Sequence, residues 1–190
     1  MSTLEIFPPI SFFANSSSGD FEKIAAALNS VATDIIKIAN DLRLLASGPH
    51  AGLSEILLPE VQAGSSIMPG KVNPSILEAL TMLCFKVKGL YATIDLTTTH
   101  AQLQLQAFMP IIGFSLFEMF SLLTNGMRMF REKCLNAITV NQEKAQKLLD
   151  ESFVYATEYS EKLGYAKVAE LVKKAYKENL PLKDLLEQEK

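Results

Sequence analysis

Residues 64–74 read Gly-Ser-Ser-Ile-Met-Pro-Gly-Lys-Val-Asn-Pro, gathering two hydroxyls, two glycines, one ammonium, one amide and two prolines between apolar helical patterns. Packing does not ask for this mixture. It sets groups that can take a proton beside donors that can face a negative charge. Removing a proton from carbon next to a carboxylate needs both, because a second negative charge builds on that carboxylate as the proton leaves. A hydroxyl is a poor base in water. Glycine-flanked turns and helix starts are where several backbone N–H groups converge to steady its anion.

Spacing excludes a phosphate-cradling loop. That motif needs four residues between its glycines and a Ser or Thr after the lysine, whereas five residues separate Gly64 from Gly70 and Val72 follows Lys71. An ordinary turn explains Ser, Gly, Pro and Asn. It does not explain Met68 and Lys71.

The unbroken run over residues 64–74 resembles the signature loop of the fumarase/aspartase superfamily, a mobile loop of the form SSxMPxKxN that supplies the base for β-elimination. Residues 37–49, 52–56 and 58–60 look like the helix and connection that precede this loop in aspartases and class II fumarases. Residues 102–106, 123–125 and 132–134 look closer to aspartase, and Leu163-Gly164-Tyr165 is similar more loosely. One departure is His50, where the family usually has an arginine after Gly-Pro. It bears on how the loop is anchored, not on its chemistry.

The resemblance implies a carbon–nitrogen lyase of the aspartate ammonia-lyase type, forming fumarate by β-elimination of ammonia from L-aspartate, a small dicarboxylate. It implies that Ser65 is the catalytic base, that Ser66, Lys71 and Asn73 bind the substrate, and that Gly64, Met68 and Gly70 belong to the flexible loop. It further implies that Glu78 orients a catalytic histidine from another segment. No cofactor and no metal are implied. The residues by themselves leave other readings open. Asn73 precedes Pro74 and suits a helix cap, Lys71 has the ordinary fate of a solvated surface charge, and Glu78 would gain from a helix N-terminal dipole. His50 and His100 lack spaced partners and read as structural.

In this superfamily the active site is composite. Three separated stretches from three subunits of a tetramer meet there, and only the third resembles anything in this chain. A Thr-His pair belongs to an earlier stretch; here Thr99-His100 follows the signature, so no role is carried over to it. The chain is therefore similar to the C-terminal part of a lyase subunit, expected to act as a homo-oligomer or with a complementing N-terminal fragment. Two further readings stay open: a fumarate hydratase-type lyase, and a non-catalytic truncated helical remnant acting only in assembly.

The elements that must carry the loop are helices. Phe21, Ile24, Ala25, Leu28, Val31, Ala32, Ile35, Ile38, Ala39, Leu42 and Leu45 recur at spacings of three and four, one stripe of about seven turns ended by Gly48-Pro49. The spacing predicts a second long helix from Pro74, with Asn73 at its N-cap, and a third over residues 111–134. Residues 102–106 alternate like a short strand, yet read as helix because the chain offers no strand to pair with. Shorter helices follow over residues 142–158 and 165–179, then a stub from Leu182. Residues 1–19 read as an extended lead-in whose Phe7, Phe12 and Phe13 need cover. The expectation is an all-α fold: a long antiparallel bundle, a truncated central domain over residues 1–138 bearing the loop, and a small helical C-terminal domain over residues 139–190.

Composition bounds the rest. Hydrophobic residues make up 48% of 190, which excludes disorder and supports a substantial core. A net charge of −3 without a basic cluster gives nucleic-acid binding no footprint. Cys84 and Cys134 lie far apart with no CxxC, and read as buried thiols of a reducing compartment. No basic residue precedes Lys23, so a signal peptide's charged start is lacking, and Pro110 and Glu118 interrupt the most apolar run. The expectation is a cytoplasmic protein without nucleic-acid or membrane partners.

Overall fold

The computed structural model describes residues 17–189. Most of the expected lead-in, including Phe7, Phe12 and Phe13, lies outside them. Within the described residues the chain divides into two compact units, one of residues 17–44 and 58–138, the other of residues 45–57 and 139–189. The fold is all-α apart from a pair of two-residue strands.

Three long helices build the first unit: α1 (Gly19–Leu45), α2 (Ser75–Thr98) and α3 (Met109–Lys133). At the start of α1 the Ser18 carbonyl accepts from the N–H groups of Phe21 and Glu22 at 3.0 and 3.2 Å. Asp20 and Glu22 in the first turn and Arg43 in the last complement the helix dipole. Pro110 falls in the first turn of α3, where its missing N–H costs nothing.

The pairings give the directions. Glu22 meets Tyr91 at 3.2 Å, Asn29 and Thr33 meet Lys88 at 3.2 and 2.8 Å, and Arg43 meets Glu78 at 3.7 Å, so α1 and α2 run antiparallel. Lys86 meets Glu118 at 3.7 Å while Gly126 lies against Leu83, so α2 and α3 are antiparallel too. A Cβ on Gly126 would stand 2.5 Å from Leu83 Cδ2, so the missing side chain is what lets these helices approach. The core comprises Leu77, Leu80, Cys84, Val87 and Ile94 of α2 with Ile112 and Met119 of α3, all fully buried. Each buried Leu or Ile of this kind contributes about 1.5–3 kcal/mol.

The stripe of α1 is only half covered. Ala25, Ala32, Ile35 and Ala39 are buried, but Ile24, Val31 and Ile38, at heptad spacing on a second face, are 45–48% exposed. The stripe is wider than α2 and α3 can cover. Residues 102–106 are not helix: Gln102 and Leu105 exchange backbone hydrogen bonds at 3.1 and 3.0 Å, and Leu103 takes φ +51° in a tight turn. The alternating period marked a real departure from helix, satisfied by a local hairpin that needs no distant strand.

In the second unit β1 (Ile56–Leu57) pairs antiparallel with β2 (Thr139–Val140), Ile56 opposite Val140. The Asn141 N–H donates to the Glu55 carbonyl at 2.8 Å. These bonds tie residues 45–57 to the C-terminal unit, whereas the sequence reading places them in the first domain. After β2 come α4 (Gln142–Glu151), α5 (Tyr155–Leu163), α6 (Tyr165–Glu178) and α7 (Leu182–Glu187). The helix expected over residues 142–158 is split because Ser152 is extended and its hydroxyl donates to the Leu149 carbonyl at 2.7 Å. Tyr159, Val168, Leu171, Leu182 and Leu186 form this unit's core.

Candidate active site

The signature loop leaves and re-enters the first unit at one place. Its incoming arm, through Leu58, Pro59 and Val61, shares a small pocket with Pro74, Ile76 and Leu77 of the outgoing arm and Cys134 of the bundle. Above this base the two arms touch through backbone. A Cβ built on Gly64 would lie 1.6 Å from the Lys71 carbonyl oxygen and 2.5 Å from its carbon, so only glycine fits there. The Asn73 side-chain amide donates to the Gly64 carbonyl. Gly70 takes φ +74° in open space, a left-handed conformation that turns the chain back from the tip. The tip is solvent-facing, with Ile67 90% and Met68 59% exposed.

Ser65 sits inside this turn, half-buried. Its Oγ accepts from the backbone N–H groups of Ile67 and Met68 at 3.1 and 3.0 Å. Two N–H dipoles aimed at one oxygen favour negative charge on it, the arrangement a serine base requires. Serine turns with such bonds also occur without chemistry, so the bonds alone do not make a base. Ser66 and Lys71 are exposed. Among the described residues Lys71 makes no ion pair.

Asn73 does not cap α2. The helix begins at Ser75, Pro74 holds the N-cap position, and among the described residues there is no side-chain cap bond. The Asn73 amide turns back to the loop instead, because the approach of Gly64 puts a carbonyl within its reach. Glu78, in the first turn of α2, faces Arg43 of α1, with Oε1 3.7 Å from Nη2 and both side chains near half-exposed. The structure thus gathers Gly64, Ser65, Met68, Gly70, Lys71 and Asn73 in one loop and sets Glu78 at the helix start beneath it. His100 is engaged locally, with Nδ1 2.9 Å from the Leu96 carbonyl and 2.8 Å from Thr99 Oγ1.

Three residues that the sequence reading did not single out belong to this region. Gln62 Nε2 donates to Ser75 Oγ at 2.6 Å. Arg43 is the cation opposite Glu78. The sequence signals for them were slight: Gln62 and Ser75 flank the motif, and Arg43 lies in the run of residues 37–49 that resembles the helix before the loop.

A helical bundle with a hydroxyl-and-lysine loop entering one of its long helices is the arrangement that the signature's resemblance to a lyase leads one to expect. The chain's similarities agree. A family described as lyase matches residues 3–89. Fumarate hydratase 1, mitochondrial, of Arabidopsis thaliana is 42% identical over 160 residues, covering 84% of this chain and 32% of that protein. The structure of a fumarate lyase:delta crystallin from Brucella melitensis superposes with a TM-score of 0.88 at 39% identity, covering 93% of this chain and 38% of that one. A class II fumarase from Schistosoma mansoni gives 0.86 at 36% identity, with 91% and 36% covered.

The chain belongs to the fumarase/aspartase superfamily. It spans 32 to 38% of the length of these relatives. The named relatives include fumarate hydratases and none named an aspartate ammonia-lyase, so they support a lyase but not the narrower expectation. No helix among the described residues is long and apolar enough to cross a membrane.

Proposed function

We propose that residues 64–78 form the base-bearing part of a fumarate-forming lyase centre, completed by other segments of the same kind of subunit. The observation that carries this is Ser65 Oγ held by the Ile67 and Met68 amides inside an intact lyase signature. In this reading the Ser65 alkoxide, steadied by those two N–H groups, takes a proton from carbon beside the substrate carboxylate. That carboxylate gains a second negative charge, which Lys71 faces together with the Asn73 amide hydrogen left over from the bond to the Gly64 carbonyl. The charge then collapses into the carbon–carbon double bond, and the leaving group departs with a proton from an acid outside the loop. Ser66 adds a hydroxyl bond to the bound dicarboxylate. Glu78, steadied by Arg43, orients a histidine of another segment.

The similarity to fumarate hydratases favours water as the leaving group, that is, interconversion of malate and fumarate. Elimination of ammonia from aspartate is the second reading, supported by the Gln102, Gln104 and Gln106 pattern and by residues 123–125 and 132–134. The test is mixing: the chain with a fragment supplying the superfamily's other two active-site stretches, offered malate and aspartate in turn, with fumarate absorbance as readout. Fumarate that depends on Ser65 and Lys71 supports the proposal, and the productive substrate names the reaction. No fumarate from either substrate sinks it and leaves the assembly-only reading.

The same proposal includes partners of the chain's own kind. Phe85 of α2 and Phe114 and Phe117 of α3 are 59, 68 and 79% exposed, a burden of apolar surface that a lone subunit rarely carries. A second copy or a complementing fragment covers them in this reading. A cytoplasmic setting fits the two free, buried cysteines, Cys84 and Cys134.

A further inference from the structure

We propose that Gln62 and Ser75 are positioning residues: they latch the two arms of the signature loop together and thereby hold the Ser65 hydroxyl in its amide cradle. The role in turnover rests on the lyase reading above; the latch itself does not.

Four contacts stack along the neck of the loop. At the base, Leu58, Pro59 and Val61 pack near Pro74, Ile76 and Leu77. Next, Gln62 Nε2 donates to Ser75 Oγ at 2.6 Å, and the Ser75 hydroxyl points to the Asn73 carbonyl at 3.5 Å. Above that, the Asn73 amide donates to the Gly64 carbonyl. Finally the Gly64 and Lys71 backbones are in contact. The polar links form a circuit, Gln62 to Ser75 to Asn73 to Gly64, and Ser65 is the next residue. Everything beyond the circuit, from Ser66 to Gly70, is exposed. These contacts divide a fixed neck, in which Gln62 and Ser75 are the side-chain link nearest the bundle, from a free tip. Ser75 suits this place because it opens α2, so its position is set by the bundle. Losing the Gln62 bond loosens the incoming arm, and the cost falls on the orientation of Ser65.

The test compares the native 190-residue chain with Q62L, S75A, the double variant and Q62E. Glutamate keeps the link because its carboxylate accepts from the Ser75 hydroxyl. Millisecond hydrogen–deuterium exchange is read on the peptide spanning residues 64–73. Q62L and S75A each should speed its exchange about twofold to tenfold, the factor one net hydrogen bond gives. The double variant should be no faster than either single one, Q62E should return toward native, and exchange in α2 and α3 should not move. In the complemented assembly Q62L should lower kcat by about tenfold to a hundredfold with little change in KM, as a misplaced reacting group does. Native-like exchange in Q62L, multiplying effects in the double variant, no rescue by Q62E, or an unchanged kcat each overturns the proposal. If S65A leaves turnover intact while Q62L still loosens the loop, the lyase reading fails and the latch stands.

Discussion

Arg43, in the last turn of α1, faces Glu78, in the first turn of α2, with Nη2 3.7 Å from Oε1. Both side chains are near half-exposed, so screening holds the pair to about 0–1 kcal/mol of stability. That small value makes Glu78 a clean probe. Glu78→Gln should shift the thermal midpoint by no more than a few degrees, while lowering turnover of the complemented enzyme by about tenfold or more if the carboxylate orients a catalytic group. Equal turnover would show that the pair only fastens α1 to α2.

Ser65→Ala separates chemistry from architecture in the loop. It removes the acceptor of the Ile67 and Met68 N–H groups, but these lie in an exposed turn where water replaces it. Stability should change by about 0.5 kcal/mol or less. Fumarate formation in the complemented assembly should fall about a hundredfold to ten-thousandfold, the range of general-base catalysis. Retained activity places the base elsewhere.

Gly64→Ala should open the loop without unfolding the bundle. The added methyl would meet the Lys71 carbonyl oxygen at 1.6 Å, and backbone on both sides leaves no flexible side chain to yield. Exchange over residues 64–73 should approach that of an unstructured peptide while helical circular dichroism is retained. A native-like loop in this variant would contradict the observed neck.

In the second unit Asp150 Oδ1 accepts from Lys183 Nζ at 2.9 Å, Tyr155 Oη at 3.0 Å and Gln146 Nε2 at 3.0 Å. The Lys183 bond, then that of Tyr155, holds the Asp150 carboxyl below its usual range. A carboxyl depressed on folding contributes stability that is present above the unfolded value of about 3.9 and is lost as pH falls through the folded one. Lys183 and Tyr155 are raised chiefly by the same hydrogen bonds, so their contribution is present below about pH 10 and lost above it. Denaturant unfolding of the terminal unit should therefore weaken below about pH 4 and above about pH 10. Asp150→Asn should flatten the acid-side loss; an unchanged pH profile would remove this cluster as its source.

Sedimentation should find the chain oligomeric at micromolar concentration. Phe117→Asp should weaken association roughly tenfold to a hundredfold, from about 1.5–3 kcal/mol of burial lost per ring. Its helical signal should persist, since Phe117 is 79% exposed within the subunit. A native chain that sediments as a clean monomer would refute the apolar faces as contacts.

Periodicity alone was enough to place α1, α2 and α3, because an apolar residue every three or four positions is what a buried helix face requires. Residue types alone were enough to mark the loop, since hydroxyl, lysine and amide so close together serve no core. The resemblance of residues 64–74 to a lyase signature then agrees with the superfamily that the relatives show. Tertiary structure decided what has no period. Asn73 could cap a helix or present its amide to a substrate, and the approach of Gly64 to Lys71 set that amide on the Gly64 carbonyl, a use its sequence position did not suggest. The run at Gln102 could be helix or extended, and a single turn at Leu103 satisfied its backbone locally. Residues 45–57 joined the C-terminal unit because the partners of Ile56 and Glu55, namely Val140 and Asn141, lie some eighty-five positions away. Pairings at that separation are fixed by how the chain folds back, and no local pattern of residues encodes them.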